Sequence, residues 1–135
     1  MQGIEIDMRL NINPFINLNL AYHYLDARDI SENRVNDNLA YKIKHQFSIS
    51  NKINIGYLSL LIDGRYRSKI EEVFIYPGSE PSANFLFNVK MNMAISRSNS
   101  IFFAINNITD VQYEELERYR MPGRNFTLGG KIQLR

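Results

Sequence analysis

A two-residue period runs through most of this 135-residue chain, and it leaves few folds open. In residues 3–12 the apolar Ile4, Ile6, Met8, Leu10 and Ile12 alternate with Glu5, Asp7, Arg9 and Asn11. A helix would scatter those charges around its axis, whereas a strand sends successive side chains to opposite faces. The alternation recurs in residues 16–24, 41–49, 55–67, 85–96, 101–108 and 126–134, which predicts seven strands and no helix. A chain this short makes one domain, not two.

The connections alternate as well. Residues 13–14, 51–54 and 97–100 are short turns, while 27–38, 68–83 and 110–124 are long, polar and charged. In an antiparallel meander every short turn then falls at one rim and every long loop at the other. Soluble sandwiches have no need of that arrangement; transmembrane barrels have short turns on the periplasmic side and long loops outside. The predicted strands also run longer than the usual five or six residues and are long enough to cross an apolar layer at a tilt. The expected fold is therefore all-β, an antiparallel meander of a transmembrane outer-membrane β-barrel with about seven strands.

In that fold the apolar face meets lipid and the charged face lines the interior. The expected lipid-facing set is Ile4, Ile6, Met8, Leu10, Leu18, Leu20, Phe47, Leu60, Ile62, Phe87, Val89, Met91, Phe103, Leu128 and Ile132. The interior set is Glu5, Asp7, Arg9, Lys42, Lys44, Asp63, Arg65, Lys90 and Lys131. Tyr22, Tyr24, Tyr41 and Tyr66, near strand ends, suit an interfacial girdle. A soluble all-β binding module shares the alternation but accounts for neither strand length nor loop order.

Composition excludes several chemistries. The chain has no cysteine, which rules out disulfides, thiolate metal sites and cysteine nucleophiles. Sixteen Lys+Arg against 14 Asp+Glu give a formal charge of +2, which leaves no footprint for nucleic acid. No apolar run is long enough for a transmembrane helix, and residues 1–7 do not read as a signal peptide. The two histidines take opposite phases, His23 inward and His45 outward, so no shared metal site is expected. Glu114, Glu115, Glu117, Arg118 and Arg120 read as a solvated external loop, Gly123 as a relaxed turn after Pro122, and Arg124 as a wall contact. No catalytic residue, metal ligand or cofactor is expected.

The last third of the chain carries a more specific pattern. Ile101-Phe102-Phe103-Ala104-Ile105-Asn106-Asn107-Ile108-Thr109-Asp110, then Tyr113, then Met121-Pro122-Gly123-Arg124-Asn125-Phe126 resembles the closing segment of a TonB-dependent outer-membrane receptor. Upstream, Gly3-Ile4-Glu5 and Tyr22-His23-Tyr24-Leu25-Asp26-Ala27-Arg28 are similar to two earlier strands of that family. The resemblance implies a 22-stranded barrel with an N-terminal plug, importing iron–siderophores, haem, cobalamin or similar scarce chelates. It also implies an energy-coupling partner that grips an N-terminal box, to be supplied by an intact parent. On this reading residues 1–135 are the C-terminal part of such a barrel, located in the outer membrane, with plug and remaining strands outside the chain. The ending Gln133-Leu134-Arg135 departs from the aromatic terminus usual in the family. Closure of the wall is expected from missing strands or from further copies of the chain; a stand-alone small or oligomeric barrel is the alternative.

Overall fold

The computed structural model describes residues 1–32 and 37–133. Seven strands form one antiparallel sheet: β1 (Gln2–Asn13), β2 (Ile16–Asp26), β3 (His45–Ile55), β4 (Leu58–Arg67), β5 (Asn84–Ala94), β6 (Ser100–Asn106) and β9 (Asn125–Lys131). Each pairs with its predecessor in the wall, in the order β1-β2-β3-β4-β5-β6-β9. A small hairpin, β7 (Glu114–Leu116) and β8 (Tyr119–Arg120), lies within the third long loop. The sheet does not close; β1 and β9 are its edges.

Apart from a shift between Asn11 and Asn13 beside the first turn, register carries the alternation across the wall. Met8 lies opposite Leu20, Leu20 opposite Ile49, Ile49 opposite Gly64 and Gly64 opposite Phe87. The neighbouring outward row runs Leu10, Leu18, Asn51, Ile62, Val89, Ile105 and Phe126. Side chains of one phase thus make one face that is apolar but for Asn51 and His45, with Ile4, Ile6, Phe103 and Leu128 among its exposed members. A soluble sheet of this size would cover such a face; few of its residues are buried here, and the buried apolar side chains lie elsewhere. Gly64 gives Phe85 room to fold across this face: a Cβ there would stand 3.0 Å from the ring and 3.1 Å from Ile49.

Several boundaries differ from expectation by a residue or two, and three of the differences change a residue's role. Residues 51–54 form no turn; β3 continues to Ile55, and the chain reverses at Gly56-Tyr57. Asn51 and Asn54 look like turn residues, but only Gly56 takes the positive φ (57°) that a two-residue hairpin needs at its first central position. Residues 41–44 lie outside β3: Tyr41 has φ 61° and Ile43 makes an isolated bridge to Ile70. Lys42 and Lys44 are therefore loop residues, not members of an interior strand ladder. At the other end, β9 stops at Lys131, leaving Ile132 and Gln133 beyond it, while the expected strand position of Leu134 lies outside the described residues.

Candidate functional site

All three long connections leave the wall at one rim, and their described parts pack on each other. Ala27 and Ala40 from the first and Ile70, Val73 and Pro81 from the second are buried, forming a small apolar core beyond the strand ends. Backbone bonds hold it together: Tyr41 N to Glu72 O at 2.9 Å and Ile70 N to Pro81 O at 3.1 Å.

Tyr41 links the three loops. Its hydroxyl accepts from the amides of Phe74 (3.1 Å) and Ile75 (3.2 Å) in the second loop. It donates to Glu117 Oε1, in the third loop, at 2.7 Å. Glu117 is 8% exposed, a carboxylate drawn out of water and held by this hydroxyl. One residue on, the Arg118 guanidinium lies 4.0 Å from the Tyr76 ring centroid, a direct contact between the second and third loops.

The third loop also reaches inward. Arg65, on the polar face of β4, donates to Glu115 at 2.7 Å. Arg67, 3% exposed, donates to the backbone carbonyls of Glu114 and Glu115. The hairpin therefore lies over the polar face of the wall, correcting the expectation of a freely solvated external loop. Its charges looked solvated because their partners Arg65 and Arg67 stand some 50 residues upstream. The Glu117-Arg118 reversal between β7 and β8, with φ 61° at Arg118, was hidden in the same charged run.

At the base of this loop, Asn107 and Asp110 set the exit from β6. Both take left-handed φ (51° and 56°), which Asn and Asp accept more readily than most residues. The Asn107 carboxamide accepts from Val111 N at 3.0 Å and donates to Val111 O at 2.9 Å, and Asp110 Oδ1 accepts from Arg124 N at 2.7 Å. Gly123 has no positive φ. Its constraint is space, since a Cβ there would stand 2.6 Å from Asp110 Oδ1. The Arg124 guanidinium donates to Ile108 O at 3.4 Å, a contact within the loop base.

Two open clefts result. One, of about 530 Å³, lies between the second and third loops, with Glu80, Tyr113, Arg118 and Arg120 among its lining. The other, about 560 Å³, lies between the polar face and the loop base, bordered by Asp63, Arg65, Asn88 and Met121. Both mix charges of opposite sign with carboxamides and aromatic rings, suited to holding a polar ligand by several weak contacts.

The remaining expected residues fall into simple roles. Glu5 lies opposite His23 in register, with a side-chain separation of 3.7 Å. His45 is on the outward face, where the Tyr22 hydroxyl lies 2.9 Å from Nδ1 and the Tyr24 ring packs at 5.1 Å. The two histidines thus occupy opposite faces. Lys90 lies 4.4 Å from the Phe102 ring centroid on the polar face, and that ring covers Gly129. Among the described residues no group of three or more His, Asp or Glu side chains is arranged to hold a metal ion.

No protein-family model matches the sequence, and no curated protein matches it closely enough to count as a relative. Solved structures do match. The siderophore receptor PiuA from Acinetobacter baumannii superposes with a TM-score of 0.76 at 14% identity, covering 96% of this chain and 21% of that one. The closed form of the ferric-catecholate import receptor Fiu from E. coli K12 gives 0.77 at 18% identity over 96% of this chain and 20% of that one. The ferripyoverdine receptor of the Pseudomonas aeruginosa outer membrane, bound to ferripyoverdine, gives 0.75 at 16%, with 96% and 19% covered. The chain spans about a fifth of the length of these receptors. At such identities the shared property is the fold: an antiparallel barrel wall with long loops gathered at one rim.

Proposed function

We propose that this chain is a wall segment of an outer-membrane receptor that takes up a scarce ferric chelate, and that it has no catalytic role. On this reading it is the C-terminal part of the barrel. The plug, the energy-coupling box and the other strands belong to a parent polypeptide. The strands hold the apolar layer, and the loop cluster around Tyr41 and Glu117 shapes part of the outer mouth.

The observation that carries the proposal is the seven-stranded face on which outward positions are apolar apart from Asn51 and His45, while all three long connections meet at one rim. A soluble binding module has no use for an uncovered face of this width. The receptors named above are described as taking siderophores, ferric catecholate or ferripyoverdine, which supports a ferric chelate as the cargo class.

The test is uptake of radioactive iron by iron-starved cells with and without the gene, using ferric catecholate and ferric hydroxamate chelates. Loss of uptake of one class, restored by returning the gene, is the expected result. Equal uptake of every chelate, or recovery of the protein in the soluble fraction, would refute the proposal.

A further inference from the structure

Beneath the third loop lies a polar pair whose hydrogen bonding is only half complete. Arg67, the last residue of β4, and Asn84, the first of β5, are register partners on the polar face. Both are more than nine-tenths buried. Arg67 Nε and both Nδ2 and Oδ1 of Asn84 nevertheless have no hydrogen-bond partner. The terminal nitrogens of Arg67 donate to the backbone carbonyls of Glu114 and Glu115, whereas the Glu115 carboxylate is bonded to Arg65. A guanidinium drawn this far from water is normally paired with an anion, and its planar fork matches a carboxylate or similar oxyanion.

Residues 113–115 lie across this pair. Tyr113 lines both open clefts. Ala83, next to Asn84, lines the first; Arg65 and Leu86, two residues along each strand from the pair, line the second. The segment is thus a partition between the clefts, with Arg67 and Asn84 under it. Its attachment is light. β7 and β8 form a sheet of their own, and among the described residues no backbone hydrogen bond joins them to the wall. Side chains hold them down, and the Arg65–Glu115 pair among these is half-exposed, where an ion pair contributes little.

Resting on the receptor reading above, we infer that residues 113–115 are a displaceable strap over an oxyanion site formed by Arg67 and Asn84. An anionic oxygen of the chelate replaces the Glu114 and Glu115 carbonyls on the guanidinium and also accepts from Asn84 Nδ2. A neighbouring N–H or O–H of the same chelate donates to Asn84 Oδ1. A catecholate carried on an amide supplies both groups. With the strap lifted the two clefts join, which gives a bulky chelate room above the pair.

The test uses the purified full gene product and two probes labelled with radioactive iron: an amide-linked ferric tris-catecholate, which is anionic, and ferrioxamine B, which is cationic. Gel mobility of unheated samples checks that each variant is folded. Arg67→Gln should weaken catecholate binding by about tenfold or more, and Asn84→Ala by about threefold to about tenfold. If Arg67→Gln does not fold, Arg67→Lys, which keeps the charge and loses the fork, takes its place with the same direction of change. The double variant Arg65→Gln/Glu115→Gln removes the latch without changing net charge and should tighten binding by up to about fivefold; a merely structural role for the pair predicts weaker binding. Catecholate should also speed hydrogen exchange of the amides in residues 113–121, the reverse of ordinary ligand protection. Unchanged affinity in Arg67→Gln and Asn84→Ala, as for a pair bridged only by water, would overturn the site. Weaker binding by the double variant, or slower exchange in residues 113–121, would overturn the strap. Failure of the folded protein to bind either chelate refutes the receptor reading itself, whereas chelate binding indifferent to Arg67 and Asn84 refutes only this inference.

Discussion

Val89 is the position where the membrane reading is most exposed to test. It is the sixth of eleven residues in β5, and its outward neighbours across the wall are Ile62 and Ile105. With five residues on either side, its side chain lies near the midplane of any bilayer the sheet crosses. A lysine at the midplane of a barrel's lipid face costs about 2–4 kcal/mol, falling to about 0–1 near the interface. Val89→Lys should therefore lower the folding equilibrium in vesicles by a factor of about 30 to about 1,000. Phe85→Lys, near the long-loop end of the same face, should cost less than about 1 kcal/mol. Asn88→Lys, on the polar phase, should cost little. Val89→Leu separates lipid from a protein core. An extra methylene in a packed core costs about 1–3 kcal/mol, whereas fluid acyl chains accommodate it. The chain has no tryptophan, so the assay is urea titration of vesicle-inserted protein followed by gel mobility of unheated samples. Equal losses for Val89→Lys and Asn88→Lys, or a large loss for Val89→Leu, would refute the lipid-facing assignment.

The rim makes further predictions. Tyr41→Phe removes one donated and two accepted hydrogen bonds and strands the buried Glu117 carboxylate; a loss of about 1–3 kcal/mol should appear as faster protease cleavage in residues 68–83 and 110–124, with the strands intact. Gly123→Ala brings a methyl to 2.6 Å from Asp110 Oδ1 and should break the Arg124 N–Asp110 bond, seen as faster exchange of the Arg124 amide; unchanged exchange would show that the carboxylate moves aside freely. The half-exposed Glu80 carboxyl is held below the usual carboxylate range, chiefly by the backbone amide of Gly78 at 2.9 Å. A lowered folded-state pKa means that its contribution is present above the unfolded pKa and is lost as pH falls through the folded value. Protection of the Gly78 amide should accordingly fall on acidification below about pH 4, and Glu80→Gln should weaken that pH dependence.

Much of the wall was legible in the residues themselves, because strand periodicity is local. One residue's phase sets its neighbour's, and a slip by one would exchange Glu5, Asp7 and Arg9 with Ile4, Ile6 and Met8. The outward set, the opposite phases of His23 and His45, and the alternation of short and long connections all follow from that. Turn chemistry was less secure: Asn51 and Asn54 mimic a turn, and only the backbone shows that Gly56 makes it. The loop cluster lay beyond local reasoning. Glu115 finds Arg65 fifty residues away, and Glu117 finds Tyr41 seventy-six residues away. Nothing in a run of charged residues says whether water or a distant side chain will satisfy them. Edge direction is likewise a property of the assembled sheet, since each antiparallel pairing reverses the chain and only the complete strand order brings β1 and β9 out parallel. Alternation specifies which face of each strand is apolar; the tertiary structure decides which charges are taken from water, because that depends on partners the chain brings together only by folding.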